Sequence, residues 1–562
     1  VGLTNRGIQL DVVLIGETGY KDANEMLQVL GVDRFREEFQ KLIDTATTIT
    51  PRPRDEAEDD EEYVLLGSDD DKPARRAWEL LAKSALRSDP PSLFIRPESH
   101  VILRVEWDAK DGSRRYFLKE LDDNDLYTEL LRNVVFKRKV IVENTSVTAE
   151  GTTTTREVRL VKDKPPRELV RIMQGMPLQE KLLPRLERFV SVPVFSERAT
   201  LLAESGYYPE FRTLVAIDPN LKIRRVPERP TAKDVERALK ILLEELLGDF
   251  PFVSDADRAN ALALMLTPFV RPLIVGEIPF FITDAPAPGT GKSLLMKCLM
   301  IPFLGHVPET TTYSNDPDEM NKHLIAMAKE GREYAFFDNI KGKMDNPALE
   351  QVLTSGRISG RLLGRNETIS APNRMIILGS ANNPRLGSEI ARRTVAILLD
   401  AGTEKPEHRD GFRHELPTWA LENRGELIWA CLTIIQNWIA QGQPRQHDRI
   451  LGSFESWCRI VGGILKCAGV HGFLENWEEV RRKNDVEREA WTEFVTRWYR
   501  KHRSAPVFLS QLLDIAADVP ELFIPDGSRR TQETNLAIQL RNRVGRIFSG
   551  LRIERASGLV DG

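Results

Sequence analysis

The residues best suited to chemistry stand in DAPAPGTGKSLLMK, residues 284–297. Gly289 and Gly291 permit backbone conformations in which successive amides point at a phosphate, and the helix predicted to follow adds its positive end. Lys292 is then placed to neutralise terminal phosphates, and Ser293 to bind Mg²⁺. The stretch therefore predicts a phosphate-binding loop for a nucleoside triphosphate, which we take to be ATP.

The loop departs from the usual pattern at Pro286, where a glycine is common. A glycine-rich turn with an incidental lysine is the alternative interpretation. The position of the loop, between the apolar segment IPFFIT and a helical pattern, favours the nucleotide site. The predicted nucleotide contacts are Pro288, Gly289, Thr290, Gly291, Lys292, Ser293 and Leu294.

A second strand pattern, REYAFFDNI, ends in an acidic residue. Asp338 follows four apolar residues and is predicted to organise Mg²⁺ together with Ser293. Asn339 stands where many ATPases have a glutamate that polarises water. The identity of the general base is therefore open, and Glu333 is one candidate.

A third strand pattern, RMIILGSANNP, ends in Ser380, Asn382 and Asn383. An amide at this position can hold the attacking water or the γ-phosphate, so Asn382, or alternatively Asn383, is predicted to be catalytic. Arg392 and Arg393 follow before another apolar strand. They belong either to a solvated turn or to a pair that reaches the γ-phosphate of a neighbouring subunit.

Composition narrows the class of protein. The 562 residues predict three or four domains, and the formal net charge of −5 means that nucleic-acid contacts must come from local basic patches. Four cysteines without a C-x-x-C pair and eight scattered histidines argue against a zinc site or disulfide framework and favour a reducing cytoplasm. The sequence has no uninterrupted apolar run of about 18 residues, which predicts no membrane span.

The order PGTGKS, AFFDN, IILGSANNP and ARR resembles the AAA+ superfamily, and within it the superfamily 3 helicases and the helicase half of phage and plasmid primase-helicases. The resemblance covers roughly residues 250–470. It implies a hexameric ring that hydrolyses ATP between subunits and pulls single-stranded DNA through its pore. By motif order, Lys292 and Ser293 correspond to Walker A, Asp338 to Walker B, Asn382 to sensor 1, and Arg393 or Arg392 to the arginine finger.

In that group a β-hairpin between Walker B and sensor 1 grips DNA. The corresponding interval here, SGRISGRLLGRNETISAPN, reads as two short strands that turn near residues 365–366. The predicted DNA contacts are Lys341, Lys343, Arg361 and Arg365. A basic surface loop is the alternative interpretation.

The two ends of the chain suggest further modules. DVVLIGETGYKDANEMLQVLG resembles the tail of a Toprim primase domain, and the start at Val1 suggests a fragment or a trimmed chain. The arginine-rich residues 529–555 fit a winged helix with a basic recognition helix and wing. Nucleic acid and protein are both open as partners of that wing.

Together these features predict a multidomain α/β protein with a central AAA+ P-loop ATPase built on a parallel sheet. The predicted segments are a Toprim-like remnant (1–50), an acidic linker and helix (51–91), a mixed α+β accessory domain (92–230), the ATPase core (231–400), a helical region (401–503) and a winged-helix-like module (504–562).

The expected function is an ATP-dependent helicase or translocase acting as a ring on single-stranded DNA in mobile-element replication, linked to a primase. A cytoplasmic, prokaryotic or phage-encoded protein is expected. A DNA-activated ATPase of antiviral defence and an AAA+ protein remodeller or loader are the alternatives. A remodeller usually presents an aromatic and apolar pore loop, whereas the interval at 355–373 is rich in arginine and glycine.

Overall fold

The computed structural model describes most of the chain. The described residues are 10–12, 34, 37, 47–49, 62–67, 71–97, 100–110, 113–148, 151–177, 179–361, 368–445, 448–484, 486–519, 522 and 527–555. Two compact units are present: the first joins Val1–Leu81 with Asp123–Met176, and the second joins Ala82–Asp122 with Pro177–Gly562. Each helix among the described residues is too short or too polar to span a bilayer.

The strands and helices are numbered here in chain order. The strands are β1 Leu10–Val12, β2 Thr47–Ile49, β3 Tyr63–Leu66, β4 Leu93–Ile95, β5 Ile102–Lys110, β6 Ser113–Glu120, β7 Val135–Thr148, β8 Gly151–Asp163, β9 Arg188–Val190, β10 Val194–Phe195, β11 Leu201–Leu202, β12 Gly206–Tyr208, β13 Thr213–Val215, β14 Phe280–Asp284, β15 Tyr334–Ile340, β16 Lys343–Met344, β17 Arg357–Arg361, β18 Thr368–Pro372, β19 Ile376–Ala381, β20 Arg385–Leu386, β21 Thr394–Leu398, β22 Ile547–Phe548 and β23 Leu551–Arg552. The α-helices are α1 Lys72–Ala85, α2 Asp123–Asn133, α3 Arg167–Gln174, α4 Gln179–Leu182, α5 Ala232–Leu239, α6 Asp255–Val270, α7 Lys292–Leu304, α8 Pro317–Lys329, α9 Pro347–Val352, α10 Ser388–Ala391, α11 Thr418–Glu422, α12 Arg424–Ala440, α13 Glu455–Cys467, α14 Trp477–Asn484, α15 Val486–His502, α16 Leu509–Ala517 and α17 Arg529–Arg541.

The first unit contains a three-stranded sheet in the order β3-β7-β8. Strand β3 pairs in parallel with β7, and the buried Trp78 of α1 donates its indole N–H to the Met173 carbonyl at 2.8 Å. Residues 63–66 are therefore a sheet strand, although the sequence places them in the linker predicted over 51–91. Of the predicted Toprim-like segment 1–50, the structure describes the antiparallel pair β1–β2 and the single residues 34 and 37. The acidic residues 51–61 lie outside the described residues.

The second unit is built on a four-stranded parallel sheet in the order β15-β19-β14-β21. Its strands are nearly continuous apolar runs, as expected where both faces of a sheet are covered. Phe281 packs into a core with helices α6, α7, α12 and α13, whereas its neighbours Phe280 and Ile282 pack against α8 and α9. The result is a three-layer α/β/α arrangement, with the parallel sheet that the sequence predicts for 231–400.

The helix that leads into this sheet changes its winding. Thr231 accepts a hydrogen bond from the Asp234 amide at 3.3 Å, and the Asp234 carboxylate accepts one from the Thr231 amide at 2.8 Å. This capping box starts α5, and its Thr-x-x-Asp spacing is visible in the sequence. Beyond α5, residues Lys240–Leu246 form a π-helix, although the sequence pattern over 232–247 is that of one continuous α-helix. Gly248 ends the segment, because a Cβ there would lie 2.2 Å from the Glu244 carbonyl oxygen.

The accessory region predicted over 92–230 is divided between the units. Residues 123–176 belong to the first unit. The antiparallel sheet β4-β5-β6 and the sheet β12-β13-β9 belong to the second, where Phe94, Leu103 and Leu214 share a small apolar core.

The C-terminal module consists of α15, α16, α17 and the hairpin β22–β23 around one core. Trp491 and Phe494 of α15 belong to that core, so the module begins before the predicted boundary at 504. Ser549 and Gly550 form the hairpin turn with φ of 46° and 82°, the left-handed pair that two-residue hairpins favour. The winged-helix-like interpretation stays a prediction.

A buried arginine caps the helix that follows the phosphate loop. Arg424 donates hydrogen bonds to the carbonyls of Pro302 and Phe303, each at 3.2 Å, at the negative end of α7. Burial lowers the pKa of Arg424 to about 10. Gly305 leaves room for the guanidinium, since a Cβ there would lie 2.6 Å from the Arg424 Cζ.

We predict that Arg424→Ala lowers the free energy of unfolding by about 2–3 kcal/mol, because two buried carbonyls lose a charged donor and a cavity forms. Urea unfolding followed by tryptophan fluorescence measures the change. Lys466→Ala is the control: its side chain is 67% exposed, and its ion pair with Asp448 should contribute less than about 1 kcal/mol. Equal effects of the two substitutions would contradict the capping role.

Candidate functional site

The loop between β14 and α7 has the geometry of a phosphate cradle. Gly289 and Gly291 have φ of 75° and 97°, in the left-handed region that glycine adopts without a Cβ clash. The Thr290 hydroxyl donates to the Ala287 carbonyl at 2.7 Å and fixes the turn. Lys292 is the first residue of α7, so the loop ends at the positive end of a helix.

The Lys292 side chain is buried against the glycine-rich loop. It is 8% exposed, and its Nζ donates to the Ala287 carbonyl at 3.1 Å. Burial lowers the pKa of Lys292, against the opposing effect of the carboxylates of Asp284 and Asp338. A charged amine with one neutral partner is well suited to receive a phosphate oxygen.

The Asp338 carboxylate gathers hydrogen bonds from three elements. Its Oδ1 accepts from the Ser293 hydroxyl at 2.5 Å, from the Ser380 hydroxyl and from the Asn339 amide at 3.0 Å. The pairing of β15 with β19 shifts register between Phe337 and Ile340 and forms a bulge here, and Asn339 has a φ of 54°. Asparagine tolerates this left-handed conformation better than glutamate, which accounts for the residue at that position.

The oxygen atoms at this point fit a magnesium ion. Mg²⁺ in nucleotide sites is held by one or two protein oxygens together with phosphates and waters. The Ser293 hydroxyl and the Asp338 carboxylate are in direct contact, so both predicted ligands lie at one place. Their role as magnesium ligands stays a prediction.

The loop and the strand ends enclose a cavity of about 330 Å³. Its lining residues are Pro288, Gly289, Gly291, Lys292, Ser293, Leu294, Asn339, Ser380, Ala381 and Asn382. Thr290 is buried and supports the loop from behind. Of the two candidate sensor residues, Asn382 lines this cavity and Asn383 is not among its lining residues. The Asn383 backbone amide donates to the Asp284 carboxylate at 2.8 Å.

Three residues near the loop were not assigned a role from the sequence. Ser380 was recognised only as the polar end of a strand. Phe250 and Glu407 pack close to the loop. A Cβ added at Gly291 would lie 3.5 Å from the Phe250 ring, and one added at Gly289 would lie 3.1 Å from the Glu407 carboxylate. Both are distant in sequence, and no local pattern marks them.

Glu333 lies at the wrong end of its strand to serve as a general base. It precedes β15, whereas Asp338 lies near the other end. Its carboxylate is 3.6 Å from the Arg188 guanidinium, and burial raises its pKa. The hypothesis that Glu333 replaces the missing glutamate is therefore not supported by the geometry.

The two arginines lie at the opposite edge of the sheet from the loop. Thr394, which follows them, pairs with Phe280 at the start of β14, about 16 Å of strand from the loop. Arg393 is 8% exposed and donates to Glu389 at 2.6 Å. Arg392 also contacts Glu389, but its side chain is 46% exposed. Of the two, Arg392 is the one that a neighbouring molecule can contact.

The predicted hairpin is present, but its lysine candidates lie elsewhere. Strands β17 and β18 pair antiparallel from Arg357 to Arg361, and Gly360 packs so closely on α8 that a Cβ would lie 2.1 Å from Ile325. Arg365 lies outside the described residues. Lys341 and Lys343 follow β15 at the edge that carries the cavity, and Lys343 is 2.5 Å from the Asp345 carboxylate.

A buried asparagine joins the hairpin to the sheet. The Asn373 side chain donates to the Val352 and Ser355 carbonyls at 2.7 Å and 3.0 Å, and its oxygen accepts from the Met375 amide at 3.3 Å. These hydrogen bonds join the base of the hairpin to the start of β19, the strand that carries Ser380.

Part of the C-terminal arginine set has a structural partner. Arg529 is 3.0 Å from the Asp514 carboxylate, and Arg543 lies over the Trp491 ring at 4.3 Å. Arg530, Arg541, Arg546, Arg552 and Arg555 are exposed. Nucleic-acid contact by this module stays a prediction.

The chain was compared with family models, curated proteins and solved structures, and only the solved structures gave matches. No family model matches the chain, and no curated protein matches it. Among solved structures, an apo structure of the NrS-1 C-terminal region matches at 11% identity over 82% of this chain and 86% of that chain, with a TM-score of 0.36. A second apo structure of that region matches at 10% identity over 82% and 86%, with a TM-score of 0.34. The SCCmec type IV Cch active helicase matches at 10% identity over 81% and 76%, with a TM-score of 0.24.

We predict that nucleotide affinity falls as the pH rises toward the ordinary lysine range. The folded protein holds the pKa of Lys292 below 10.5, so the amine loses its charge, and its attraction for phosphate, earlier than an exposed lysine would. Titration with a fluorescent nucleotide analogue between neutral pH and about pH 10 measures the effect. Residual binding by Lys292→Arg, which stays charged, should not show this decline. A wild-type affinity that is constant over the range would contradict the prediction.

Proposed function

We propose that the protein is an ATP-driven helicase or translocase that acts on single-stranded DNA. The observation that carries the proposal is the convergence of Ser293, Asp338 and Ser380 beside a glycine-rich loop, with a β-hairpin inserted between the two strands that bear Asp338 and Ser380. This arrangement offers a site for a triphosphate and, in the hairpin that precedes β19 along the chain, a separate element for a second ligand.

Each side chain at the site has a definite task in this proposal. Lys292 binds the terminal phosphates, and Ser293 with Asp338 holds Mg²⁺, which when bound supplies positive charge to the phosphate oxygens. Ser380 and the Asn339 amide hold the Asp338 carboxylate in position. Asn382 lines the cavity and is placed to orient the attacking water.

The opposite placement of Arg392 supports a shared site between copies. An arginine at the far edge of the sheet cannot complete the cradle of its own chain, but it is exposed to a neighbour. We therefore propose a superfamily 3-like AAA+ ring, with a hexamer as the expected form. A primase partner and a setting in phage or plasmid replication complete the proposal, with antiviral defence as the alternative setting.

Single-stranded DNA is expected to stimulate ATP hydrolysis by the full chain, because translocation couples turnover to the strand. Phosphate release measured with and without an oligonucleotide checks this, and the stimulation should weaken as salt rises. Lys292→Ala should abolish turnover under both conditions. Stimulation by a protein, with indifference to DNA, would favour the remodeller instead.

A mixing experiment tests the shared site. Lys292→Ala and Arg392→Ala are each expected to reduce ATP hydrolysis strongly, since the neighbour's arginine contributes about 10³–10⁵ in rate where it has been measured. A mixture of equal amounts should regain activity, because about a quarter of the interfaces in a randomly mixed ring combine an intact lysine with an intact arginine. Arg385→Ala, which changes another exposed arginine of the same segment, is the control and should retain activity. A mixture as inactive as its components would contradict the shared site.

A further inference from the structure

The hairpin β5–β6 carries an aromatic pair at a place where no core covers it. Trp107 and Tyr116 lie directly opposite each other in the antiparallel ladder, so their rings share one face. Nearer the base of the hairpin, Val105 and Leu118 on that face pack against the small core around Phe94. Trp107 lies beyond this core and is 54% exposed.

An arginine accompanies the exposed ring. Arg114 pairs with Ala109 one step further along the same face, and its guanidinium lies 4.8 Å from the centre of the Trp107 ring. The carboxylates of Glu106 and Asp108 belong to the opposite face, because successive side chains alternate along a strand. Glu106 is held there by the Arg104 Nε at 2.9 Å.

The hairpin is bonded to two other parts of the second unit, to which it belongs. The Arg114 amide donates to the Asp218 carboxylate at 3.1 Å, and the Arg115 guanidinium is 3.4 Å from the His306 ring. His306 follows α7, the helix that begins in the phosphate loop. The aromatic pair therefore stands on a fixed support within the compact unit that contains the ATPase sheet.

We propose that Trp107, Tyr116 and Arg114 form a stacking site for an unpaired base of single-stranded nucleic acid. A base that stacks on the indole takes the place of the Arg114 guanidinium, which is then free to pair with the adjacent phosphate. Stacking of a base on an aromatic ring is stronger than an exposed cation–π contact, so the exchange is favourable. The two rings with Arg114 offer much less surface than the roughly 800 Å² per partner that a stable protein interface buries.

The inference rests on the proposed function, since the ligand is the strand on which the translocase acts. The site is separate from the hairpin β17–β18 and would give the strand a second contact. The proposed site binds mainly the base and only secondarily the phosphate. A basic surface patch would bind the phosphates alone, so a strand without bases distinguishes the two.

Binding of fluorescein-labelled oligothymidylate to the full chain, measured by anisotropy, tests the proposal. Trp107→Ala should weaken binding about tenfold, and Trp107→Phe should restore most of the affinity. Wild type should bind an abasic strand of equal length more weakly than oligothymidylate, and Trp107→Ala should lose that discrimination. Phe412→Ala is the matched control, because Phe412 is 52% exposed and lies 5.4 Å from the Arg409 guanidinium, yet should leave binding unchanged.

The outcomes separate the inference from the function. Wild-type binding with an unchanged Trp107→Ala affinity, or an equal loss for both strands, would overturn the stacking site and leave the translocase proposal standing. A wild-type chain that binds neither strand would overturn the proposed function itself.

Discussion

The parallel register of the four central strands is the constraint on which the candidate site depends. Because β14, β15 and β19 run in one direction, their carboxyl ends meet at one edge, and the Asp338 carboxylate can receive hydrogen bonds from Ser293 and Ser380 at once. The same register sends the amino ends, with the hairpin and Arg392, to the opposite edge. The parallel topology thus separates the candidate phosphate site from the hairpin and Arg392.

Features that depend on local sequence could be predicted well. The loop glycines, the apolar strands and the terminal polar residues are each encoded within about ten residues, so their periodicity and spacing reveal them. The capping box at Thr231 and Asp234 was equally visible, because its two partners are three residues apart. Once the strands are known to be parallel, the meeting of Ser293 with Asp338 follows.

Features that depend on long-range packing could not be predicted from the sequence. The burial of Glu333 against Arg188 joins residues far apart in the chain, and no local pattern reveals it. The first unit is formed by two separate stretches of the chain, Val1–Leu81 and Asp123–Met176, with residues 82–122 belonging to the second unit. Local composition does not reveal such a discontinuous boundary. The π-helix after α5 and the bulge at Asn339 depend on small changes in hydrogen-bond register, which side-chain periodicity does not resolve.

The central position of β19 has a mechanical consequence. This strand is paired on both sides, with β14 and β15, and a slip by one residue would turn every side chain to the opposite layer. The strand Ile376–Ala381 is therefore fixed in register and is not free to slide between its two neighbours. In the proposed translocase, the hairpin would therefore move together with the whole four-stranded sheet, as that part of one subunit rotates relative to the neighbouring subunits.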